Sequence, residues 1–192
     1  MGREQDILNT AAAAFYEKGF HGVSVDELGK RAGLSGPALY RSFSGKDEIL
    51  ATLLNEAMDE LMSATIPVHD DAAQDLERAI LHHVNFALRE GPLVSIYQRE
   101  VRSLVDPWKK SFYHRRRRYN ERWTTLIRRR YPNIDLTMAS VATQSLLGLV
   151  FSIPHWPAAL RSSGHVQDLA LTLLSKGYLA LDEVEVPPNQ EI

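Results

Sequence analysis

One short window of positive charge in the sequence is free of acids. Four cations and no Asp or Glu lie between residues 28 and 46: Lys30, Arg31, Arg41 and Lys46. Residues 1–60 as a whole contain ten acids. A positive window flanked by negative charge is expected of a chain that docks one face on a polyanion such as DNA. A solvated surface that lacks acids has the same pattern, so charge alone leaves both interpretations open.

Two short helices are expected to carry this window. Ser24 and Glu27 have the spacing of a capping box, which predicts a helix over Val25–Arg31. A turn through Gly33 and a second helix over Gly36–Phe43, capped by Ser35, would complete a helix-turn-helix. The second helix of such a motif fits the major groove of DNA, which is about 12 Å wide.

The spacing also predicts which side chains of this motif face the groove. Packing of Leu28, Leu34, Leu39 and Phe43 on the first helix leaves a groove-facing set of Ser35, Gly36, Pro37, Tyr40 and Arg41. Arg41 suits guanine O6 and N7, and Pro37 or Ala38 suits a thymine methyl. Tyr40 and Lys46 suit phosphate oxygens, and a capping box of Ser44 and Asp47 is expected to start the next helix.

A second basic feature lies between residues 109 and 130, where ten cations face one carboxylate, Glu121. Arg116 falls on the apolar stripe of this helix, four residues after Phe112 and three before Tyr119. A cation that faces inward needs a partner, either a carboxylate such as Glu100 or an anionic ligand. A solvated face with Arg116 extended to water, and a second DNA contact, are the alternatives.

Aromatic residues cluster around this stripe and suit either a core or the lining of a cavity. A roomy cavity edged by arginines would suit an acyl chain with an anionic head, such as a fatty acyl-coenzyme A. The predicted ligand-binding residues are Phe86, Tyr97, Glu100, Trp108, Phe112, Arg116, Tyr119, Trp123 and Phe151. His83, on the stripe of the preceding helix, is interpreted as a core histidine whose hydrogen bonds are satisfied.

Helical periodicity recurs along the chain and no alternating strand pattern persists, which predicts an all-α protein of about nine helices. The helix Asp135–Ile153 has no charge after its capping residue, and His165–Leu181 has only Asp168 and Lys176. A helix that is apolar all round is buried on both sides, so these two are expected to build a dimer interface. The predicted interface residues are Leu146, Leu149, Val150, Ile153, Leu169, Leu173 and Gly177; a core within one chain is the alternative.

The amino-acid composition further narrows the class of protein and the chemistry that it can perform. The formal net charge is -2, and there is no cysteine, so disulfides and thiolate chemistry are excluded and a reducing cytoplasm is expected. The apolar stretch Leu146–Ile153 is shorter than the ~20 residues that cross a bilayer. The segment 33–37 resembles a nucleophile elbow, but its fifth position is Pro37 and no strand precedes it. We therefore expect no enzyme activity, cofactor, metal site or membrane partner.

Residues 3–54 resemble the DNA-binding domain of TetR-family transcriptional regulators. The resemblance is carried by the ordered motifs Ala12–Phe20, Val25–Leu28, Ala32–Ser35 and Leu39–Asp47. It implies a homodimeric repressor with a helix-turn-helix domain over 1–48, a ligand-binding and dimerisation domain over 49–192, and a flexible tail over 182–192. A small-molecule effector would release the palindromic operator DNA.

Carried over by position, the family's phosphate contacts fall on Tyr40 and Lys46, and its base-reading helix on Ser35, Gly36, Pro37 and Arg41. Ser24 and Ala38 complete the predicted DNA-binding set. The family often has His where this chain has Ser42, so the bases that are read stay open. A helical small-molecule-binding or enzymatic protein without a role in transcription is the alternative function.

Overall fold

The computed structural model describes residues 2–177, and within that range every regular element is helical. This confirms the all-α class. The predicted tail 182–192 and the end of the last predicted helix lie outside the described residues. The α-helices are α1 (Arg3–Lys18), α2 (Val25–Arg31), α3 (Gly36–Tyr40), α4 (Lys46–Ala64), α5 (Ala72–Arg89), α6 (Gly91–Glu100), α7 (Trp108–Arg130), α8 (Leu136–Ser152), α9 (Ala158–Arg161) and α10 (His165–Gly177). Short 3₁₀ turns follow α6 at Val101–Ser103 and α8 at Ile153–His155.

Two compact units divide the chain. The first comprises Met1–Glu60 and Glu90–Arg116, and the second comprises Leu61–Arg89 and Arg117–Ile192. The first unit therefore includes α6 and the start of α7 together with the N-terminal helices, whereas the sequence predicted a boundary after residue 48. The functional division into 1–48 and 49–192 stays a prediction, because compactness does not test it.

In the first unit, α1 packs against α2 and α6, and α2 packs against α3. The core side chains are apolar and almost fully buried: Ile7, Leu8, Ala11, Phe15, Leu28 and Leu39. The turn between α2 and α3 passes through Gly33 at φ 66°, a left-handed conformation that favours glycine. Its backbone closes through the N–H of Leu34, which donates to the Gly29 carbonyl at 2.8 Å. The predicted helix-turn-helix is thus confirmed as a local structure.

Helix starts in this unit differ in detail from the prediction. The Ser24 hydroxyl accepts from the Glu27 N–H at 3.1 Å, as expected of an N-cap. Ser35 precedes α3 but makes no side-chain capping bond, and α3 ends at Tyr40 instead of Phe43. At α4 the side chain that reaches back is Glu48, which accepts from the Ser44 N–H at 2.6 Å, so the predicted role of Asp47 is wrong.

In the second unit, α5 packs against α8 and α10. The segment Leu136–His155, which contains α8, is by length and composition alone apolar enough to cross a membrane, so the apolar stretch is longer than the predicted Leu146–Ile153. A core helix of a globular protein passes the same test, and one face of α8 is buried through Ala139, Thr143, Leu146 and Val150. The opposite side of α8 is exposed and carries no charge: Thr137, Val141, Gln144, Ser145 and Gly148.

A buried ion pair ties the connection between α4 and α5 to the rest of the second unit. The Asp75 carboxylate is fully buried and accepts from the N–H groups of Val68 and His69 at 2.9 and 3.1 Å. Its second oxygen accepts from Arg129 Nη1 at 2.5 Å, and Arg129 Nη2 donates to the carbonyls of His69 and Asp70. Burial raises the pKa of Asp75, but these donors outweigh it and hold the pKa below its usual value.

We predict that Asp75→Asn lowers the free energy of unfolding by about 3 kcal/mol, because it leaves the Arg129 charge without its counter-ion. Urea unfolding followed by circular dichroism measures this change. Asp70→Asn is the matched control, since only the backbone carbonyl of Asp70 contacts Arg129. Equal stability of the two variants would contradict the structural role of the pair.

His83 is the other buried polar group that shapes this core. Its side chain is fully buried, and Nδ1 lies 2.6 Å from the Ala79 carbonyl oxygen, one turn earlier in α5. Burial lowers the pKa of His83 to about 3, against a smaller opposing contribution from the Ala79 carbonyl. The imidazole is therefore neutral in the folded protein at every physiological pH.

This burial predicts a pH-dependent stability. Below pH 6.5 the unfolded chain binds a proton at His83, whereas the folded chain stays unprotonated there until about pH 3. The contribution of His83 to the free energy of unfolding is therefore fully present above pH 6.5 and decreases as the pH falls toward 3. Between pH 7.0 and 5.5 the contribution is a loss of about 1.3 kcal/mol. Urea unfolding of the wild type and of His83→Phe at both pH values measures it. The same pH dependence in both proteins would contradict the assignment.

Candidate nucleic-acid interface and ligand-binding residues

The outer face of α3 presents the predicted base-reading side chains. Ser35, Pro37 and Arg41 are exposed, Gly36 is half-buried, and Tyr40 is 55% exposed. Within residues 2–177, the Arg41 guanidinium makes no ion pair with a carboxylate. A short helix with a free guanidinium and a free phenol on one face can reach base edges and phosphates together.

Ala38 lies on the opposite side of α3. It is only 4% exposed and packs in the core of the first unit, so its methyl group is not available to a thymine. The sequence predicts Ala38 as a small apolar contact to a thymine methyl, but the helical turn after Pro37 directs its side chain inward. Pro37 is then the apolar side chain that α3 offers to a base.

Lys46 was predicted as a phosphate contact, but the structure gives it an internal role. Its ammonium donates to the carbonyls of Phe20 and Val23 at 3.2 and 3.1 Å and lies 4.5 Å from the centre of the Phe20 ring. Two of its three N–H bonds therefore hold the turn between α1 and α2. Ser24 likewise uses its hydroxyl as the cap of α2.

Ion pairs neutralise part of the basic window. Arg31 contacts Glu17 at 2.8 Å and Glu27 at 3.0 Å, and Lys18 contacts Glu27 at 2.6 Å. The hydrogen bond from Lys18 holds the pKa of Glu27 below its usual value, and burial acts in the opposite direction. With Arg31 paired, Lys30 and Arg41 are the cations of the window without a carboxylate partner or an internal hydrogen bond among the described residues. Lys46 keeps its positive charge and one N–H bond beside the two that it gives to carbonyls. The Glu17 contact could not be predicted from the local pattern, because Glu17 lies on α1, fourteen residues before Arg31.

The predicted ligand-binding residues fall in both compact units. In the first unit, the Tyr97 and Phe112 rings lie 6.1 Å apart, and Trp108 is half-buried. Arg116 lies 4.4 Å above the Tyr113 ring and, among the described residues, contacts no carboxylate. Of the two partners suggested for Arg116, a carboxylate such as Glu100 is therefore not seen among the described residues. Glu100 accepts from the Ser103 hydroxyl at 3.3 Å.

The second unit holds the remaining members of that set. Phe86, Tyr119 and Trp123 are buried and Phe151 is half-buried. The His83 ring stacks on Tyr119 at 5.8 Å and meets the edge of Trp123 at 4.7 Å. Two of the aromatic side chains predicted from the α7 stripe, Tyr119 and Trp123, thus contact His83, which the sequence predicted to be a core histidine with satisfied hydrogen bonds.

The four consecutive arginines of α7 have separate roles. In the first unit Arg115 donates to Asn55 at 2.8 Å and pairs with Asp59 on α4. In the second unit Arg117 pairs with Glu121 at 3.0 Å, and Arg118 is exposed. The alternative of a solvated face holds for Arg117 and Arg118, whereas Arg115 joins two helices.

The predicted interface residues also divide by burial. Leu146, Val150 and Ile153 are fully buried within the single chain, and Leu149 is half-buried. Leu169 and Leu173, four residues apart on α10, are 51% and 50% exposed, and Gly177 is exposed. The available apolar surface therefore lies on α10 and on the uncharged outer side of α8.

Comparisons with known proteins agree with this arrangement. Residues 7–53 match the family described as bacterial regulatory proteins, tetR family, and residues 69–168 match the tetracyclin repressor-like C-terminal domain. The HTH-type transcriptional repressor KstR2 of Mycobacterium tuberculosis is 28% identical over 136 residues, which are 65% of this chain and 64% of KstR2. The HTH-type transcriptional activator FasR of Mycolicibacterium smegmatis is 38% identical over 61 residues, 32% of this chain and 28% of FasR.

The chain thus spans less than two thirds of the length of these curated relatives. A solved structure of AibR, in complex with isovaleryl coenzyme A and operator DNA, superposes with a TM-score of 0.75 at 20% identity, covering 90% of this chain and 97% of AibR. At that identity the likeness shows the shared fold. Because the two family matches together run from the helix-turn-helix into the C-terminal helices, the chain belongs to the TetR family of DNA-binding transcriptional regulators.

Proposed function

We propose that this regulator binds a palindromic operator as a homodimer, represses transcription, and is released by a small-molecule effector in the cytoplasm. The observation that carries the proposal is the outer face of α3, where Tyr40 and Arg41 are exposed in a window without acids. Two such faces related by a two-fold axis would read half-sites one helical turn apart, about 34–36 Å centre to centre.

A second copy of the chain is the partner proposed for the outer faces of α8 and α10. Leu136, Val141, Leu169 and Leu173 are each at least half exposed, and the exposed positions of α8 carry no charge. Large apolar side chains grouped on the surface of a monomer mark association sites. The sequence predicts the interface on these two helices. Because Leu146, Val150 and Ile153 are buried within the single chain, the proposed contact uses the outward faces of α8 and α10.

The proposed effector is an anionic amphiphile of the acyl-coenzyme A class. Two observations support it: the buried aromatic side chains of α5 and α7, and the isovaleryl coenzyme A bound in the AibR structure. A ligand that prefers a conformer with misplaced α3 helices would weaken DNA binding by its differential affinity for that conformer.

Two variants test the roles on α3. Arg41→Ala is expected to weaken specific binding by about 1–3 kcal/mol and to relax discrimination at a guanine, since it removes a bidentate base contact. Tyr40→Phe is expected to weaken binding uniformly across sequences, because a phosphate contact carries no base information. Fluorescence anisotropy with the DNA upstream of the gene and a scrambled duplex measures both. Arg102→Ala changes an exposed arginine outside α3 and is the control. If the Arg41→Ala and Arg102→Ala variants bind the operator DNA with equal affinity, the proposed base contact of Arg41 is refuted.

The dimer face has its own test. Leu169→Arg places a charge on the exposed stripe of α10 and is expected to convert a dimer to a monomer, because an unpaired charge in an apolar interface is strongly disfavoured. Size-exclusion chromatography with light scattering measures the mass. Leu160→Arg changes an equally exposed leucine on α9 and should leave the dimer intact. A dimer in both variants, or a wild-type monomer, would contradict the proposed face.

A further inference from the structure

Two fully buried side chains in the core of the second unit each carry a nitrogen that hydrogen bonds with no protein group: Nε2 of His83 and Nε1 of Trp123. Leaving a buried donor or acceptor unsatisfied costs about 1–3 kcal/mol, whereas a phenylalanine at either position carries no such cost. Unsatisfied groups of this kind are rare in folded proteins and call for a ligand or a solvent partner.

The two nitrogens have complementary requirements. Since Nδ1 of His83 faces the Ala79 carbonyl at 2.6 Å, that nitrogen carries the proton and Nε2 has a free lone pair. Trp123 Nε1 carries a proton and can only donate. A single hydroxyl group satisfies both, because it donates to a lone pair and accepts from an N–H.

The surroundings select against charge. The rings of His83 and Trp123 meet edge to face, with centroids 4.7 Å apart at 73°, so both nitrogens belong to one pair of touching side chains. Tyr119 stacks on the imidazole, and five neighbouring buried positions of α5 and α7 are apolar: Ala79, Ile80, Val84, Leu126 and Ile127. The buried hydroxyl of Thr124 already donates to the Asn120 carbonyl at 3.0 Å. A carboxylate has no proton for Nε2 and would be an unpaired charge in this core. A carbonyl oxygen can satisfy Trp123 but not His83.

We propose that His83 and Trp123 form a polar subsite that binds a neutral hydroxyl group. The O–H donates to Nε2 of His83, and the oxygen accepts from Nε1–H of Trp123. This inference rests on the proposed function where it makes the hydroxyl part of the effector. Binding of a hydroxyl compound at these two side chains does not depend on DNA.

The test uses the full chain with two matched probes, 1-hexanol and hexyl methyl ether. The ether accepts a hydrogen bond but cannot donate one. Titration followed by ¹H–¹⁵N spectra of the tryptophan indole groups reports binding at Trp123 directly. The Trp156 indole is an internal control, because its Nε1 already donates to the Ser152 hydroxyl at 3.1 Å. We expect 1-hexanol to shift the Trp123 signal and to bind about 3- to 10-fold more tightly than the ether.

Variants then assign the two contacts. His83→Phe is expected to abolish the preference for the alcohol, His83→Gln to restore part of it by supplying an acceptor, and Trp123→Phe to weaken both probes. Trp156→Phe should change neither affinity. If a variant fails to fold, the indole shifts and the alcohol-to-ether ratio of the wild type still decide the matter.

The inference is overturned if the alcohol and the ether bind equally, if 1-hexanol leaves the Trp123 signal unmoved, or if His83→Phe keeps the preference. A separate measurement, operator release by isovaleryl-coenzyme A in a gel shift, tests the proposed function. Alcohol binding without operator release would retain the subsite and refute the effector proposal. Operator release without alcohol binding would retain the effector proposal and refute the subsite.

Discussion

The carboxylate of Asp75 is the contact on which the second unit depends. It is fully buried, and its charge is matched by Arg129 and by the N–H groups of Val68 and His69. Three parts of the chain meet at this one group: the connection after α4, the first turn of α5 and the last turn of α7. The guanidinium of Arg78 adds a contact from α5 to the Ile66 carbonyl at 2.5 Å. Removal of a single charge would therefore loosen all three parts.

Other cations of the basic stretches are also bound by groups of the protein itself. The number of Lys and Arg residues in the sequence is therefore larger than the number available to bind an anion. Arg31, Arg115, Arg117 and Arg129 each contact a carboxylate, and Lys46 donates to two carbonyls. On α3 and its flanks, what remains is a small face with a guanidinium, a phenol and a proline ring. In the proposed function, such a face would give specificity through a few base contacts, and a second copy would add affinity for the operator.

Local patterns predicted the fold well. The N-cap at Ser24 and the turn at Gly33 are each set by residues within one or two helical turns, and the structure has both. The errors arose where partners are distant in sequence. Glu17 pairs with Arg31 and Phe20 accepts from Lys46, although nothing in the local pattern of residues 28–46 indicates either contact. The inward direction of Ala38 follows from the exact helical phase of a five-residue helix, which a short pattern does not fix.

His83 is a second residue whose contacts depend on partners that are distant in sequence. Its position on the stripe of α5 correctly predicted burial, and the Ala79 carbonyl satisfies one ring nitrogen. The other nitrogen lies among side chains of α7, forty residues away in sequence, and its lack of a partner is a property of tertiary packing.

A DNase I footprint of the wild-type protein on the DNA upstream of its gene tests the central claim most directly. The account predicts two protected blocks with two-fold related sequences, centred about one helical turn apart. Protection that is absent, or that is equal on a scrambled duplex, would contradict the assignment of α3 as the reading helix of a dimeric repressor.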